Sequence, residues 1–518
     1  MDINVVPLDS LELRNQKQLR RNAHIVFLAL LFGSLLLILA PIFDIPNAQL
    51  LLPLGILLLV WALTVPILKF RLDLLATLSV AALVMVGAYA LKPLYLTWIG
   101  EGLIEVGSPR YKMPLVDDVT IRGTWYVILF SVALLLAYAF TGGNRGRQAS
   151  WLPRNCQSQA VHSVAIVLIV IGLLGWAVVL VFTGIKLPTI FARPFEFRYF
   201  IFETPGLYHI RNFLMWSLWS GFWLPFLLSM LTDGRVRGGK KLWLCVYFIF
   251  LEVISVGLGQ RWLIIMPIVY VVVIRNLVGR KIGLLAAVLL AALSAGISFS
   301  YILYRNLSWE GVTFGTLAQA LSEIDIPVYS VLVEGMLMAI NRFEFFPVVL
   351  AEFDGELLFG RTLLYVFVIA FPMSLFPGRP VFIDTFFTRS ILYYGDEIED
   401  YGIAWGVMPE WYINFHVPGI IIAGLIIGFI LHLTKNFIEG NKRNLYGLLI
   451  YINGYINLFT LPYTLILLGF YTGGTVEVLF FFVLNVGLSM VLAMVSRGRI
   501  HSVSLGEKEG RLFISPKP

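Results

Sequence analysis

Stretches of roughly 20 mostly apolar residues, the length that crosses a bilayer core as a helix, recur from end to end of the chain, and short charged segments separate them. Spans are predicted near 24–43, 51–68, 74–91, 124–140, 161–182, 212–231, 242–256, 262–274, 283–304, 411–433, 445–466 and 478–495. The first run is long for a signal-peptide core and no small-residue cleavage site follows it, so it reads as a retained anchor. The seventh and eighth runs are short, and only Gly257-Leu258-Gly259-Gln260-Arg261 parts them. They form either a hairpin or one long broken helix, and the second option would invert everything downstream.

Charge decides between the two, because short loops rich in Lys and Arg stay in the cytoplasm. With an even number of spans, one side collects 24 of the 38 basic residues and 8 acidic ones, and the other side 14 basic and 22 acidic. The hairpin therefore stands, with both termini cytoplasmic. The net charge of +7 reads as this topology signal and not as a nucleic-acid footprint. Composition agrees: 59% of residues are hydrophobic, 13% are charged and mean hydropathy is +0.85, where a soluble domain carries about 25% charge. The two cysteines, Cys156 and Cys245, are too few and too scattered for a disulfide framework. The expected fold is an all-α polytopic membrane protein of about 12 spans: a cytoplasmic N-terminus (1–23), nine spans (24–304), an external segment (305–410), three spans (411–495) and a cytoplasmic tail (496–518).

The segment 305–410 is far longer than ordinary connections, and such loops tend to carry function. Within it, the 13 apolar residues from Leu363 to Leu375 reach about 20 Å as a helix. That is short of a span, so they read as re-entrant or interfacial. Arginines crowd the outer side: Arg193, Arg198, Arg211, Arg261, Arg305, Arg342, Arg361, Arg379 and Arg389. A guanidinium fork binds phosphate oxygens bidentately and never loses its charge, although surface ion pairing with the outer acids is the plain alternative. Arg261 follows two glycines and opens a span, where free amides and a dipole end favour an anion. It could equally snorkel to headgroups. Among possible bases, Asp396 to Asp400 reads as a solvated run. Glu410 shares a helical face with Asn414, while Tyr412 and His416 share another. Glu252 alone sits inside a span, as a functional carboxylate or a helix-to-helix hydrogen bond. No Cys or His cluster has metal-ligand spacing and no P-loop appears, so no metal or cofactor is expected.

Three stretches together resemble the Wzy-type oligosaccharide repeat unit polymerases, the O-antigen polymerases. The first is Arg342-Phe343-Glu344, then Phe359-Gly360-Arg361-Thr362, then Phe371-Pro372-Met373-Ser374-Leu375-Phe376-Pro377-Gly378-Arg379-Pro380. Next come Pro409-Glu410-Trp411-Tyr412-Ile413-Asn414-Phe415 before a glycine-rich span, and Gly259-Gln260-Arg261. Met373 stands where the family usually has Arg, which would move a phosphate contact to Arg379.

The resemblance implies a GT-C-like fold in a plasma membrane and a glycosyl transfer on its outer face, with polyprenyl-diphosphate-linked oligosaccharide as substrate and membrane lipid, a chain-length regulator and a flippase as partners. It also implies Arg261, Arg361 and Arg379 on the diphosphate and Glu410 as base or positioner. Arg198, Arg211, Arg342, Tyr412, Asn414 and His416 would help to bind substrate. An O-antigen ligase-type transferase and a lipid-linked glycan flippase are the rival expectations. Cysteine labelling checks the topology: residue 238 should be cytoplasmic and residue 395 external, and finding both on one side would overturn the map.

Overall fold

The computed structural model describes residues 8–43, 45–74, 76–100, 103–106, 111–141, 158–185, 207–233, 238–257, 261–279, 281–290, 345–353, 357–363, 406–453 and 480–496, with isolated residues between them. Almost all of these are helical. The helices are α1 (Leu8–Leu39), α2 (Ala48–Ala62), α3 (Thr64–Ile67), α4 (Thr77–Tyr89), α5 (Leu91–Ile99), α6 (Asp118–Phe140), α7 (Ser158–Thr183), α8 (Leu207–Asp233), α9 (Gly238–Gly257) and α10 (Arg261–Val278). After them come α11 (Phe345–Glu352), α12 (Val407–Asn441), α13 (Leu445–Ile452) and α14 (Phe480–Ser496). Among the described residues, seven helices are long and apolar enough to cross a membrane: Leu13–Phe43, Ala48–Ile67, Thr77–Ile99, Asp118–Phe140, Ser158–Thr183, Ile210–Thr232 and Val407–Asn441. The chain is an all-α membrane protein.

Seven of the expected spans coincide with these long apolar helices, which mostly run past the apolar cores. Helix α1 runs 16 residues ahead of the first apolar run, and Leu28, Phe32 and Leu36 on it face outward, as lipid contact requires. The third span continues through α5 to Ile99. The seventh and eighth are separate helices of 20 and 18 residues that pack on each other. One element was not expected: β1 (Leu103–Val106) pairs antiparallel with β2 (Tyr111–Pro114). The predicted span 445–466 is not one continuous helix, since α13 stops at Ile452 and Asn453 is extended.

Helix-to-helix contact in lipid relies on small residues that let backbones approach. Helix α12 lies along α6 in this way. A Cβ at Gly424 would meet the Phe130 carbonyl oxygen, and one at Gly428 the Leu134 carbonyl oxygen. A second seam joins α7 to α8, where Ser217 Oγ donates to the Leu168 carbonyl at 2.7 Å. Helices α8, α9 and α10 share an aromatic core in which Trp219 stacks on Trp223 and the latter meets Tyr270 edge-on.

The two ends of this bundle differ. At one, Lys281 Nζ and Asn276 Nδ2 both donate to the Asp73 carboxylate, at 2.5 and 2.9 Å. Asn15 and Asn22 of α1 bond the backbone of 279–282. The N-terminal helix, the turn holding Lys69 and Arg71, and the segment after α10 are thereby clasped together, as the charge pattern requires. Tyr451 lies within electrostatic reach of Asp73 and Tyr138, which places the far ends of α6 and α12 here too. The starts of α6, α8, α10 and α12 consequently share the opposite end.

Valine at Gly428 should separate α6 from α12 and lower stability in detergent by about 1–3 kcal/mol or more. A Cβ added at Gly33 of α1 would meet nothing within 4 Å, so valine there should shift the thermal midpoint little. Equal shifts for the two variants would refute this account of the seam.

Candidate functional site

Helix α12 is not regular at its first turns. His416 leaves the helix at φ 51°, ψ −143°, and Pro418 has no N–H with which to bond the Asn414 carbonyl. Two carbonyls, those of Ile413 and Asn414, lose their helical donors. A carbonyl left bare in a membrane protein costs several kcal/mol. Both are bonded from outside the helix: Leu358 N–H donates to Ile413 at 3.1 Å and Phe359 N–H to Asn414 at 3.2 Å. Gly419 completes the break, because a Cβ there would collide with the Trp411 carbonyl oxygen.

The segment that fills the break is a tight turn closed by Arg361 N–H on the Leu358 carbonyl. Both its central residues are left-handed, Phe359 at φ 44° and Gly360 at φ 81°. Glycine suits the second position, and a bulky residue at the first is strained. The Asn414 side chain locks the turn down. Its Oδ1 accepts from Gly360 N–H at 2.9 Å, and its Nδ2 donates to Thr362 Oγ1 at 2.6 Å and to the Glu410 carbonyl at 2.7 Å. Phe359-Gly360-Arg361-Thr362 and Glu410 to Phe415, about 50 residues apart in sequence, thus form one hydrogen-bonded unit. The turn presents Arg361 to solvent, with no carboxylate partner among the described residues.

Of the predicted site residues, Glu410 lies inside α12 and not at the end of a loop, and it is only 2% exposed. Its neighbour Trp411 is likewise buried, against Phe415. Tyr412 and His416 share a face as expected, their rings edge-on at 4.9 Å, and His416 is exposed. Arg211 begins α8 at this same end but is sealed in, its Nε and Nη2 donating to Asn212 Oδ1 at 3.1 and 2.6 Å. Arg261 is the first residue of α10, also at this end. Arg198, Arg342 and Arg379 lie outside the described residues, as do Leu364 to Asp400. The Glu252 carboxylate oxygens are buried in α9 without a hydrogen-bond partner among the described residues.

Arg122 is absent from the sequence candidates. It is exposed on α6, one turn before Tyr126, whose ring lies 6.1 Å from Tyr412. The signal available in sequence was an arginine four residues into a span at the acidic end, which the apolar run starting at 124 left outside.

Asn414→Ala should release the turn, since Gly360 N–H would be left unsatisfied at a cost of about 1–3 kcal/mol. A cysteine at 359 should then label faster, with Thr362→Val producing a smaller rise. Unchanged labelling in the Ala variant would show that the lock is not Asn414.

The chain matches no protein-family model, no curated protein and no solved structure. Its function has to be argued from the residues themselves.

Proposed function

We propose that this protein joins polyprenyl-diphosphate-linked oligosaccharide repeat units into a surface polysaccharide on the outer face of the plasma membrane, as a GT-C-like glycosyltransferase of about twelve spans with cytoplasmic termini. The observation that carries this reading is the union of two motif stretches at the break in α12, where Asn414 bonds Gly360 and Thr362. Their union sets exposed Arg361 at the end of the bundle that also holds the start of α10 at Arg261.

In this reading a glycosyl diphosphate is the donor, and charge develops on the departing diphosphate. Guanidinium groups of Arg261, Arg361 and Arg379 stabilise that charge in place of a metal. A base takes the proton of the acceptor hydroxyl. Glu410 and His416 are its candidates and differ in access, the carboxylate being enclosed and the imidazole open. A transferase of the O-antigen ligase type would use the same chemistry on a different acceptor.

A second reading, a lipid-linked glycan flippase, has its own observation. Asn453 ends α13 inside the bundle, and its Nδ2 donates to Ser220 Oγ at 2.6 Å and to Asn485 Oδ1 at 2.8 Å. Broken helices and polar groups at mid-depth are features of transporters.

Purified protein in detergent, where no second compartment exists, should lengthen defined lipid-linked repeat units. Arg261→Ala should abolish this without loss of protein, and Arg261→Lys should restore it poorly. Glu410→Gln should slow it roughly 100-fold if Glu410 is the base; a change of only a few fold, with a large loss in His416→Ala, would assign the base to His416. No lengthening by the wild type, together with passage of lipid-linked glycan across liposomes, would establish the flippase instead.

A further inference from the structure

Joining two lipid-linked glycans requires two anionic headgroups to be held at one time, and the outer turns of α12 have two chemically active faces. At about 100° per residue, Tyr412 and His416 point away from Glu410 and Asn414. The Asn414 face carries the turn with Arg361. Across the helix, Tyr412 meets Tyr126 of α6 at 6.1 Å and Phe346 of α11 at 5.9 Å, and His416 stands edge-on to Tyr412. Arg122 shares the α6 face of Tyr126 at i,i+4 spacing. It lies within electrostatic range of Tyr412.

The polar heads of this second group are uncommitted. Among the described residues Arg122 has no carboxylate partner, and Asp118, one turn earlier, makes no ion pair with it. Tyr126 and Tyr412 interact through their rings, and no hydrogen bond engages their hydroxyls among the described residues. Arg122 and His416 are exposed and the two tyrosines half-buried, so none of the four is sealed inside the bundle. Arg122 sits four residues into α6, about 6 Å from its start, near the end of the helix and not at its middle.

We propose that Arg122, Tyr126, Tyr412 and His416 form a second sugar-diphosphate subsite, which holds whichever of the two lipid-linked glycans Arg361 does not. The fork of Arg122 takes phosphate oxygens bidentately, the phenols donate hydrogen bonds beside it, and the Tyr126–Tyr412 edge gives the first sugar an aromatic face. This inference rests on the polymerase reading, which alone requires two such headgroups.

A short-chain polyprenyl diphosphate bearing one N-acetylhexosamine is the probe, and native mass spectrometry of the full-length protein in detergent counts the copies bound. Wild type should bind two. Arg122→Ala and Arg361→Ala should each bind one, with the lost site weakened about 10- to 100-fold. Arg122→Lys should remain defective, because a point charge does not replace a fork, whereas an arginine that merely snorkels would tolerate lysine. Tyr412→Phe keeps the packing and should weaken the same site a few fold, which covers the case of an unstable Arg122→Ala. Two copies on Arg122→Ala would overturn the subsite. So would competition by phosphatidylglycerol at the probe's own concentration, which would make it a general lipid headgroup contact. Wild type that binds two copies yet lengthens no repeat units would instead remove the polymerase reading.

Discussion

A backbone carbonyl that loses its helical donor while buried must find another, and the first turns of α12, where Ile413 and Asn414 are fully buried, are organised by that requirement. His416 leaves the helix and Pro418 cannot donate, so Ile413 and Asn414 need N–H groups from elsewhere in the chain. Leu358 and Phe359 provide them. The same two bonds that satisfy the helix therefore dock a connecting segment on it, and Arg361 arrives at the rim as a consequence. An uninterrupted helix would have offered the turn the Asn414 side chain but no open backbone carbonyls.

This docking is useful only if α12 is itself held firmly. Gly424 and Gly428 bring its backbone against α6, and near the other end of the pair His432 Nδ1 lies 3.1 Å from the Tyr138 carbonyl. Helix α6 in turn carries Arg122 and Tyr126 to the rim, while Gly123 faces Pro347 and Leu350 of α11 in ordinary contact. One close-packed pair thus positions both faces of the proposed site. The clasp of Asp73, Asn276 and Lys281 acts at the opposite end, beside the basic turn of Lys69 and Arg71.

Spans were legible in sequence because about 20 apolar residues in a row have few alternatives. Their ends were less so: α1, α6, α8 and α12 all extend into polar turns such as Asp117-Asp118, which hydropathy places outside the membrane. The β1–β2 pair was missed although Leu103 to Val106 and Tyr111 to Pro114 flank Gly107-Ser108-Pro109, because eight residues of strand give little periodicity amid helices. Within the site, the pairing of Glu410 with Asn414 and of Tyr412 with His416 followed from i,i+4 geometry alone. That Asn414 would seize Gly360 did not, since a contact between residues about 50 apart leaves no local trace. Charge pointed to Arg211, but its burial beside Asn212 depends on packing that charge cannot reveal.

The break at Asn453 has a different logic from the break at His416. It lies eight residues past the start of α13, about 12 Å along the helix, and is fully buried with Ser220 and Asn485. Asn485 Nδ2 bonds the Asn453 carbonyl at 2.7 Å, and Asn485 Oδ1 also accepts from Trp216 Nε1 at 2.8 Å. Neutral amides and a hydroxyl can satisfy a broken backbone at this depth, whereas charges there would need partners of their own. These bonds tie α8, α13 and α14 together at one point, as a rigid polar weld. A transport pathway would need the same groups to release each other and bond a passing substrate, and in this closed arrangement nearly every donor and acceptor is already engaged. Asn453 Oδ1 is the exception among the described residues. A single open acceptor suits a buried water better than a glycan headgroup, and for that reason the weld weighs less toward a flippase than the docked turn weighs toward a transferase.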